Sequence, residues 1–208
     1  MKKNINKYFL YFLILVYVSG SIGFVINPSF FNPFTPYTLL FTCFVYLLHQ
    51  PTENYRFIAS FFAIAIFGYL IEIIGVKTGL VFGVYNYGNG LGYKLFDVPL
   101  IISLNWALLI SAGIITVSRF FKKKHIVLGI SAVLITIIDL LIEQVAYKLD
   151  FWQFDSGLPE LHNYIGWLLV AYLSPYFFYS EIIKGNRNIA IIILILQIIF
   201  FSTIYLLI

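Results

Sequence analysis

The feature that most constrains this chain is its succession of apolar runs, each near the ~20 helical residues that cross the hydrocarbon core of a bilayer. Hydrophobic residues make up 61% of the 208 residues, and charged residues only 11%. A soluble domain of this size could not bury so much apolar surface. The runs therefore predict an all-α, polytopic integral membrane protein, with residues 1–208 forming a single transmembrane domain.

Turn signals divide the runs into about seven transmembrane helices. Prolines mark a loop between residues 28 and 36, and Pro99 suits the first turn of a helix. The first run could instead be a cleaved signal peptide, but apolar sequence continues past the small residues at 19–21, which favours a retained helix. The expected helices cover residues 8–26, 37–48, 57–74, 99–118, 126–147, 164–183 with a kink at Pro175, and 189–207.

The basic residues orient these helices, because cytoplasmic loops collect Lys and Arg. With the N-terminus inside, ten basic residues fall in inner segments, and only Lys77, Lys94 and Lys148 fall in outer ones. This bias predicts an inside N-terminus, and we expect no nucleic-acid partner. A single cysteine, Cys43, allows no internal disulfide, and the three histidines lack metal-ligand spacing, so no metal site is expected.

A polar stretch interrupts the apolar pattern between residues 72 and 100. It opens with Glu72 near the outer end of the third helix and continues through a loop dense in glycine and tyrosine. In the fifth helix, Asp139 and Glu143 are four residues apart and therefore share one face, in the outer half of the membrane. A carboxylate inside hydrocarbon is costly unless it is paired, hydrated or protonated. No basic residue is expected at their depth, so these three acids are candidate functional residues.

The three acids favour acid catalysis on an apolar substrate. Desolvation and mutual repulsion oppose ionisation of all three, so we expect at least one to hold a proton near neutral pH. Such a group can act as a general acid, and the faces of nearby Trp and Tyr side chains can stabilise a developing carbocation. Other interpretations stay open, since aromatic residues at this depth also form interfacial belts, and Asn105 could simply cross-link helices.

Two blocks of residues resemble the membrane carotenoid hydratases of the bisanhydrobacterioruberin and γ-carotene hydratase type. The first block reads Glu72-x-x-Gly75-x-x-Thr78-Gly79-x-x-Phe82-Gly83-x-Tyr85-x-Tyr87, then Leu91-Gly92, Val98-Pro99 and Asn105-Trp106. The second reads Asp139-x-x-x-Glu143, Trp152, Gly157-x-Pro159, Asn163 and Gly166-Trp167. The family's second acid is usually an aspartate followed by proline, and a second tryptophan follows the first by two residues; this chain has Glu143-Gln144 and Phe154 there.

The resemblance implies addition of water across the terminal C1–C2 double bond of an acyclic carotenoid end group, as in lycopene or γ-carotene. The product would be a tertiary alcohol, and no organic cofactor would be needed. Asp139 or Glu72 would donate the proton to C2, and Glu143 would orient the water that attacks C1. The residues expected to contact the substrate are Thr78, Phe82, Tyr85, Tyr87, Asn105, Trp106, Trp152, Asn163 and Trp167. The partners would be the carotenoid and membrane lipid, in a bacterial or archaeal cell membrane.

Two other functions stay open at this point. A proton-coupled transporter of a small solute also uses intramembrane acids, although the chain has no detectable internal repeat. A non-catalytic carotenoid-binding protein would share the aromatic groove but would have little use for three acids. A retinal-binding photoreceptor is excluded, because residues 189–208 contain no lysine that could form a Schiff base.

Overall fold

The computed structural model describes residues 2–51 and 55–208. Its helices and strands follow the apolar runs and the loops between them. In chain order the elements are α1 (Lys2–Ile26), α2 (Pro28–Phe31), a 3-10 turn (Asn32–Phe34), α3 (Thr35–Leu48), α4 (Tyr55–Thr78), β1 (Tyr85–Tyr87), β2 (Lys94–Leu95), β3 (Val98–Pro99), α5 (Leu100–Val117), α6 (Lys124–Ala146), β4 (Trp152–Phe154), α7 (Leu161–Leu173), α8 (Tyr179–Ile182) and α9 (Arg187–Leu207).

The predicted fold class, an all-α polytopic membrane protein, is confirmed. Within the described ranges, six helical segments are long and apolar enough to cross a bilayer: α1, the continuous stretch Pro28–Leu48 that ends in α3, α4, α5, α6 and α9. Each matches one of the expected helices, and most bounds differ by a few residues. The expected loop over residues 28–36 is wrong, because its prolines stand in the first turns of short helical pieces, so the second segment already begins at Pro28. The inside N-terminus remains a prediction from the charge distribution.

The remaining expected helix, over residues 164–183, is wrong as a continuous helix. The chain leaves helical geometry after Leu173, and α8 begins only at Tyr179. Pro175 explains part of this break, because proline has no N–H to donate to the preceding turn. Past α8, the Asn186 N–H donates to Gln50 Oε1 at 2.8 Å, next to the end of α3. Residues 161–186 thus run the length of the bundle as a broken helix.

Helix α5 forms the centre of the bundle, and α3, α4, α6 and α9 pack around it. Fourteen of its 18 residues are buried, which explains why its sequence is apolar on every face. Small side chains allow close packing on its surface; a Cβ added at Gly113 would lie 3.2 Å from Ile135 Cδ1 of α6. The central helix therefore holds the residues near its start, including Asn105 and Trp106, in a rigid frame.

The two aromatic loops, predicted only as loops, pair with each other as short strands. Strand β1 runs antiparallel to β4, with Tyr85 opposite Phe154 and Tyr87 opposite Trp152. A second hairpin joins β2 to β3 through Phe96 and Asp97, whose φ angles of 55° and 67° suit a two-residue turn. The β1–β4 pair places aromatic side chains from both loops over one end of the helical bundle.

Candidate active site

The three acids predicted from the sequence line one small cavity beneath the β1–β4 pair. Its volume is about 20 Å³, close to the space that one water molecule needs. The cavity is lined by Glu72, Phe82, Tyr85, Tyr87, Ile102, Asn105, Asp139, Ile142, Glu143, Trp152, Phe154, Asn163 and Trp167. Four helices and both paired loops thus contribute to a single site.

Glu72 lies on α4 and is surrounded by hydrogen-bond donors. The Trp106 indole N–H donates to Oε1 at 2.8 Å. The hydroxyl groups of Tyr85 and Tyr87 donate to Oε2 at 2.5 Å and 2.8 Å. The side chain is only 3% exposed, so these three bonds replace the water that an anionic carboxylate would otherwise bind. The three donors thus surround the Glu72 carboxyl group much as water molecules surround a carboxylate in solution.

Two glycines of α4 make this arrangement possible. A Cβ at Gly68, one turn before Glu72, would lie 3.0 Å from Trp106 Cβ. A Cβ at Gly75 would lie 2.8 Å from Phe82 Cδ2. Any larger side chain at either position would push the tryptophan or the loop away from the carboxylate.

Stacked indole rings form the floor of the site. The rings of Trp106 and Trp167 lie 4.0 Å apart, with an angle of 14° between their planes. Phe82 packs against both, with ring centroids 6.1 Å and 6.3 Å away. This stack fixes the Trp106 N–H toward Glu72 and presents π-electron density to the cavity.

Asp139 and Glu143 occupy the opposite side of the cavity, on one face of α6. Asp139 is completely buried, and neither of its carboxyl oxygens has a hydrogen-bond partner of good geometry among the described residues. The groups that act on it electrostatically are the carboxyl groups of Glu143 and Glu72. Two neighbouring carboxyl groups without a cation are best accommodated when they share one proton.

Glu143 is half-buried and is positioned from α7. The Asn163 amide donates a hydrogen bond to Glu143 Oε1, and the Tyr164 hydroxyl also interacts with this carboxyl group. Glu143 Oε2 has no hydrogen-bond partner of good geometry in the described part of the chain. Of the ion pairs found in these ranges, none involves the three cavity acids.

The tyrosines of strand β1 stay neutral around the site. Burial, followed by the electrostatic effect of the nearby Glu72 carboxyl group, raises the pKa of both the Tyr85 and the Tyr87 phenol well above its usual range. Both hydroxyl groups therefore keep their protons at physiological pH and act as donors to Glu72.

A much larger apolar groove reaches the same site. Its volume is about 440 Å³, and it runs between α1, the segment from α2 to α3, and α9. Four residues line both the groove and the acid cavity: Ile102, Asn105, Ile142 and Trp152. Among them, Asn105 has a buried Oδ1 without a hydrogen-bond partner in the described part of the chain. A long apolar molecule in the groove would thus have one end against the acids.

The structure brings together every predicted site residue except Thr78. Trp106 does not line the cavity, but its indole N–H donates a hydrogen bond directly to Glu72. Thr78 lies outside, at the exposed end of α4, where its hydroxyl donates to the Ile74 carbonyl at 2.6 Å. The cavity does not include this residue, because α4 continues for a further turn beyond Gly75 and carries the threonine away.

Sequence reasoning missed Tyr164, Phe154 and the two isoleucines of the cavity. The Tyr164 hydroxyl interacts with Glu143, and Phe154 lies opposite Tyr85 in the strand pair. Proximity in the sequence to predicted site residues could have identified Tyr164 and Phe154, since Tyr164 follows Asn163 and Phe154 lies two residues after Trp152. Across the described ranges, no cluster of three or more His, Cys, Asp or Glu side chains is arranged to hold a metal ion.

Comparison with known proteins places the sequence among characterised relatives. The sequence profile of a family described as "Carotenoid biosynthesis protein" matches residues 34–208. The chain is also 29% identical over 166 residues to the bisanhydrobacterioruberin hydratase of Haloarcula japonica, covering 71% of this chain and 54% of that protein. It therefore spans about half the length of this curated relative. No solved structure matches the chain. The family match covers most of the sequence and confirms the resemblance, so this chain belongs to the carotenoid biosynthesis protein family.

Proposed function

We propose that this protein is a hydratase that adds water to the terminal C1–C2 double bond of an acyclic carotenoid end group. The product would be a tertiary alcohol, formed without an organic cofactor. The observation that carries the proposal is the apolar groove that ends against a water-sized cavity lined by three carboxyl groups. The hydratase name of the matched relative supports the same reaction class.

The groove suits an apolar polyene better than a polar solute. It is lined mainly by aromatic and aliphatic side chains of α1, α3 and α9. Several lining side chains are also open to the outside of the bundle; Phe30 is 61% exposed and Tyr37 70%. A substrate dissolved in the bilayer could therefore enter from the lipid, with its end group at Asn105 and Trp152.

The carboxyl pair of α6 is the proton source in this mechanism. Asp139 is completely buried next to Glu143, and a proton shared by the pair can be transferred to C2 of the end group. The electron pair of the double bond forms the new C–H bond, and a tertiary cation remains at C1. We assign the donor role to Asp139, because the three donors around Glu72 suit an anion.

Water then completes the reaction. A molecule held in the 20 Å³ cavity attacks C1, and its surplus proton returns to the Asp139–Glu143 pair, so the enzyme ends the cycle in its starting protonation state. Asn163 holds Glu143 in place for this step. The negative charge of Glu72 and the faces of Trp152 and Trp167 stabilise the intermediate cation.

Expression in cells that make lycopene or γ-carotene tests the proposal. Mass spectrometry of the extracted pigments should show products heavier by one water per reacted end group. The Asp139→Asn variant should show no such product while remaining in the membrane at normal abundance. Glu160→Gln is the matched control, because Glu160 lies near the same end of the bundle but is exposed and paired with His162.

Three results would contradict the proposal. The first is a wild-type protein that binds the carotenoid but never adds water, which would indicate a binding protein. The second is full conversion by Asp139→Asn. The third is loss of conversion in the Glu160→Gln control to the same degree as in Asp139→Asn, which would show that the effect is not specific to the cavity.

A further inference from the structure

The groove contains a buried amide that the proposed reaction does not use. Gln197 lies in the middle of α9, and its side chain is only 1% exposed. It lines the groove together with Tyr17 of α1. A polar side chain at this depth of an otherwise apolar helix is costly, so a function is its default explanation.

Neither polar atom of the Gln197 amide has a hydrogen-bond partner of good geometry among the described residues, although the amide interacts with the neighbouring Tyr17 hydroxyl. Buried polar groups in proteins are nearly always satisfied, by protein, by water or by a ligand. Gln197 lines the groove, and neither its own helix nor Tyr17 gives its amide a hydrogen bond of good geometry, so we look for the remaining partner in the groove.

The neighbouring hydroxyl groups define what that partner must be. The Thr42 hydroxyl donates to the Thr38 carbonyl at 2.7 Å, so the contact of 3.3 Å between Tyr17 and Thr42 has Tyr17 as its donor. The Tyr17 oxygen therefore retains accepting capacity beside the Gln197 amide, which offers one donor and one acceptor atom. A group that both donates and accepts, such as O–H, satisfies this set.

We propose that Gln197 and Tyr17 form a hydroxyl-binding position inside the groove, which binds the O–H group of a polyene alcohol or of a water molecule. The inference rests on the proposed function only in taking polyenes as the occupants of the groove. If the O–H belongs to the polyene, the protein distinguishes alcohols from hydrocarbons. If it belongs to water, the position stores water inside the groove.

Binding measurements on the purified full-length chain test this inference. The probes are lycopene and its tertiary monoalcohol, and the readout is quenching of tryptophan fluorescence in lipid nanodiscs. We expect the wild type to bind the alcohol more tightly than the hydrocarbon. The Gln197→Leu variant should lower the affinity for the alcohol by about 3- to 10-fold, as expected for one lost hydrogen bond, and leave that for lycopene unchanged.

The water alternative gives a different result in the same assay. If Gln197 holds water that an incoming polyene displaces, Gln197→Leu should bind both probes more tightly, and by the same factor. Either pattern supports an O–H partner and identifies its source. Unchanged affinity for both probes would overturn the inference.

Gln144→Leu is the matched control, because Gln144 is exposed on α6 and its amide donates to the Leu140 carbonyl of its own helix. The same response in this control would also overturn the inference. Gln197→Met serves as a second variant if Gln197→Leu does not yield folded protein. Failure of the wild type to hydrate lycopene in cells would count against the proposed reaction alone, since the binding preference is measured separately.

Discussion

Glu72 and Asp139 are both buried carboxyl groups of the same cavity, yet their surroundings differ. Glu72, on α4, accepts hydrogen bonds from Trp106, Tyr85 and Tyr87. Asp139, on α6, has no partner of good geometry in the described part of the chain and interacts mainly with another acid, Glu143. Donors around one group favour a stable anion, and the pairing of acids favours a mobile proton. Two identical functional groups are thus specialised by their neighbours.

Removing the carboxyl pair of α6 should have the largest effect. We expect Asp139→Asn and Glu143→Gln each to lower the hydration rate by about 100- to 10,000-fold, the usual contribution of a general acid. Because the proposed mechanism gives the two groups one shared proton, the double variant should lose no more than the more damaging single variant. Initial rates of alcohol formation in isolated membranes measure this. Losses that multiply in the double variant would show that the two acids act independently.

Glu72→Gln should affect stability, unlike the α6 variants. The new amide group would place N–H donors against the three existing donors, so at least one of these would lose its acceptor. We expect this loss to lower the free energy of unfolding by about 1–3 kcal/mol. Unfolding in detergent, followed by tryptophan fluorescence, measures the change. Asp139→Asn is the control and should keep the wild-type unfolding midpoint. A Glu72→Gln protein as stable as wild type would remove the distinction between the two acids.

Alkaline pH should lower the free energy of unfolding through the tyrosines that surround Glu72. The pKa of Tyr85 is raised in the folded protein by burial and by Glu72, whereas an unfolded tyrosine titrates near pH 10. The stability that depends on the neutral phenol is therefore complete below about pH 10 and decreases as the pH rises further, by about 1.4 kcal/mol per pH unit for one group. Tyr85→Phe should reduce this slope in unfolding measurements between about pH 10 and 11. An unchanged slope would contradict the assignment.

The smallest effect is expected outside the cavity, at the ion pair between Lys77 and Asp97. Lys77 lowers the pKa of the Asp97 carboxyl group, so any stabilisation is present at neutral pH and is lost as the pH falls toward the acidic range. Both side chains are exposed, and solvent screens their interaction. Asp97→Asn should therefore leave the unfolding midpoint unchanged. A clear decrease would mean that the β2–β3 hairpin supports the cavity.

The sequence predicted the helices well because their signal is simple. An apolar run of sufficient length must form a helix in a bilayer, since every backbone polar group needs a partner within its own segment. The break after Leu173 was harder to predict, because Pro175 alone predicts a kink of a continuous helix. The contact of Asn186 with Gln50, which closes the far end of that segment, joins residues 136 positions apart.

The candidate site was only partly predictable, because many of its contacts also join residues that are far apart in the sequence. Asp139 and Glu143 share a face by their spacing alone. The partners of Glu72 depend on how three elements meet, and strands as short as β1 and β4 carry too few residues to be recognised by alternation. Gln197 was missed, because an uncharged residue in an apolar run does not reveal which side of its helix faces a cavity.

The open side of the groove has a consequence for how the activity must be measured. Phe30 and Tyr37 line the groove, are exposed on the outside of the bundle, and belong to a helical stretch that is long and apolar enough to cross a bilayer. A ligand that enters there never passes through bulk water, so occupancy depends on its mole fraction in the membrane. Half-saturation values expressed per litre of buffer would vary with the amount of lipid added, whereas values expressed per lipid molecule would stay constant.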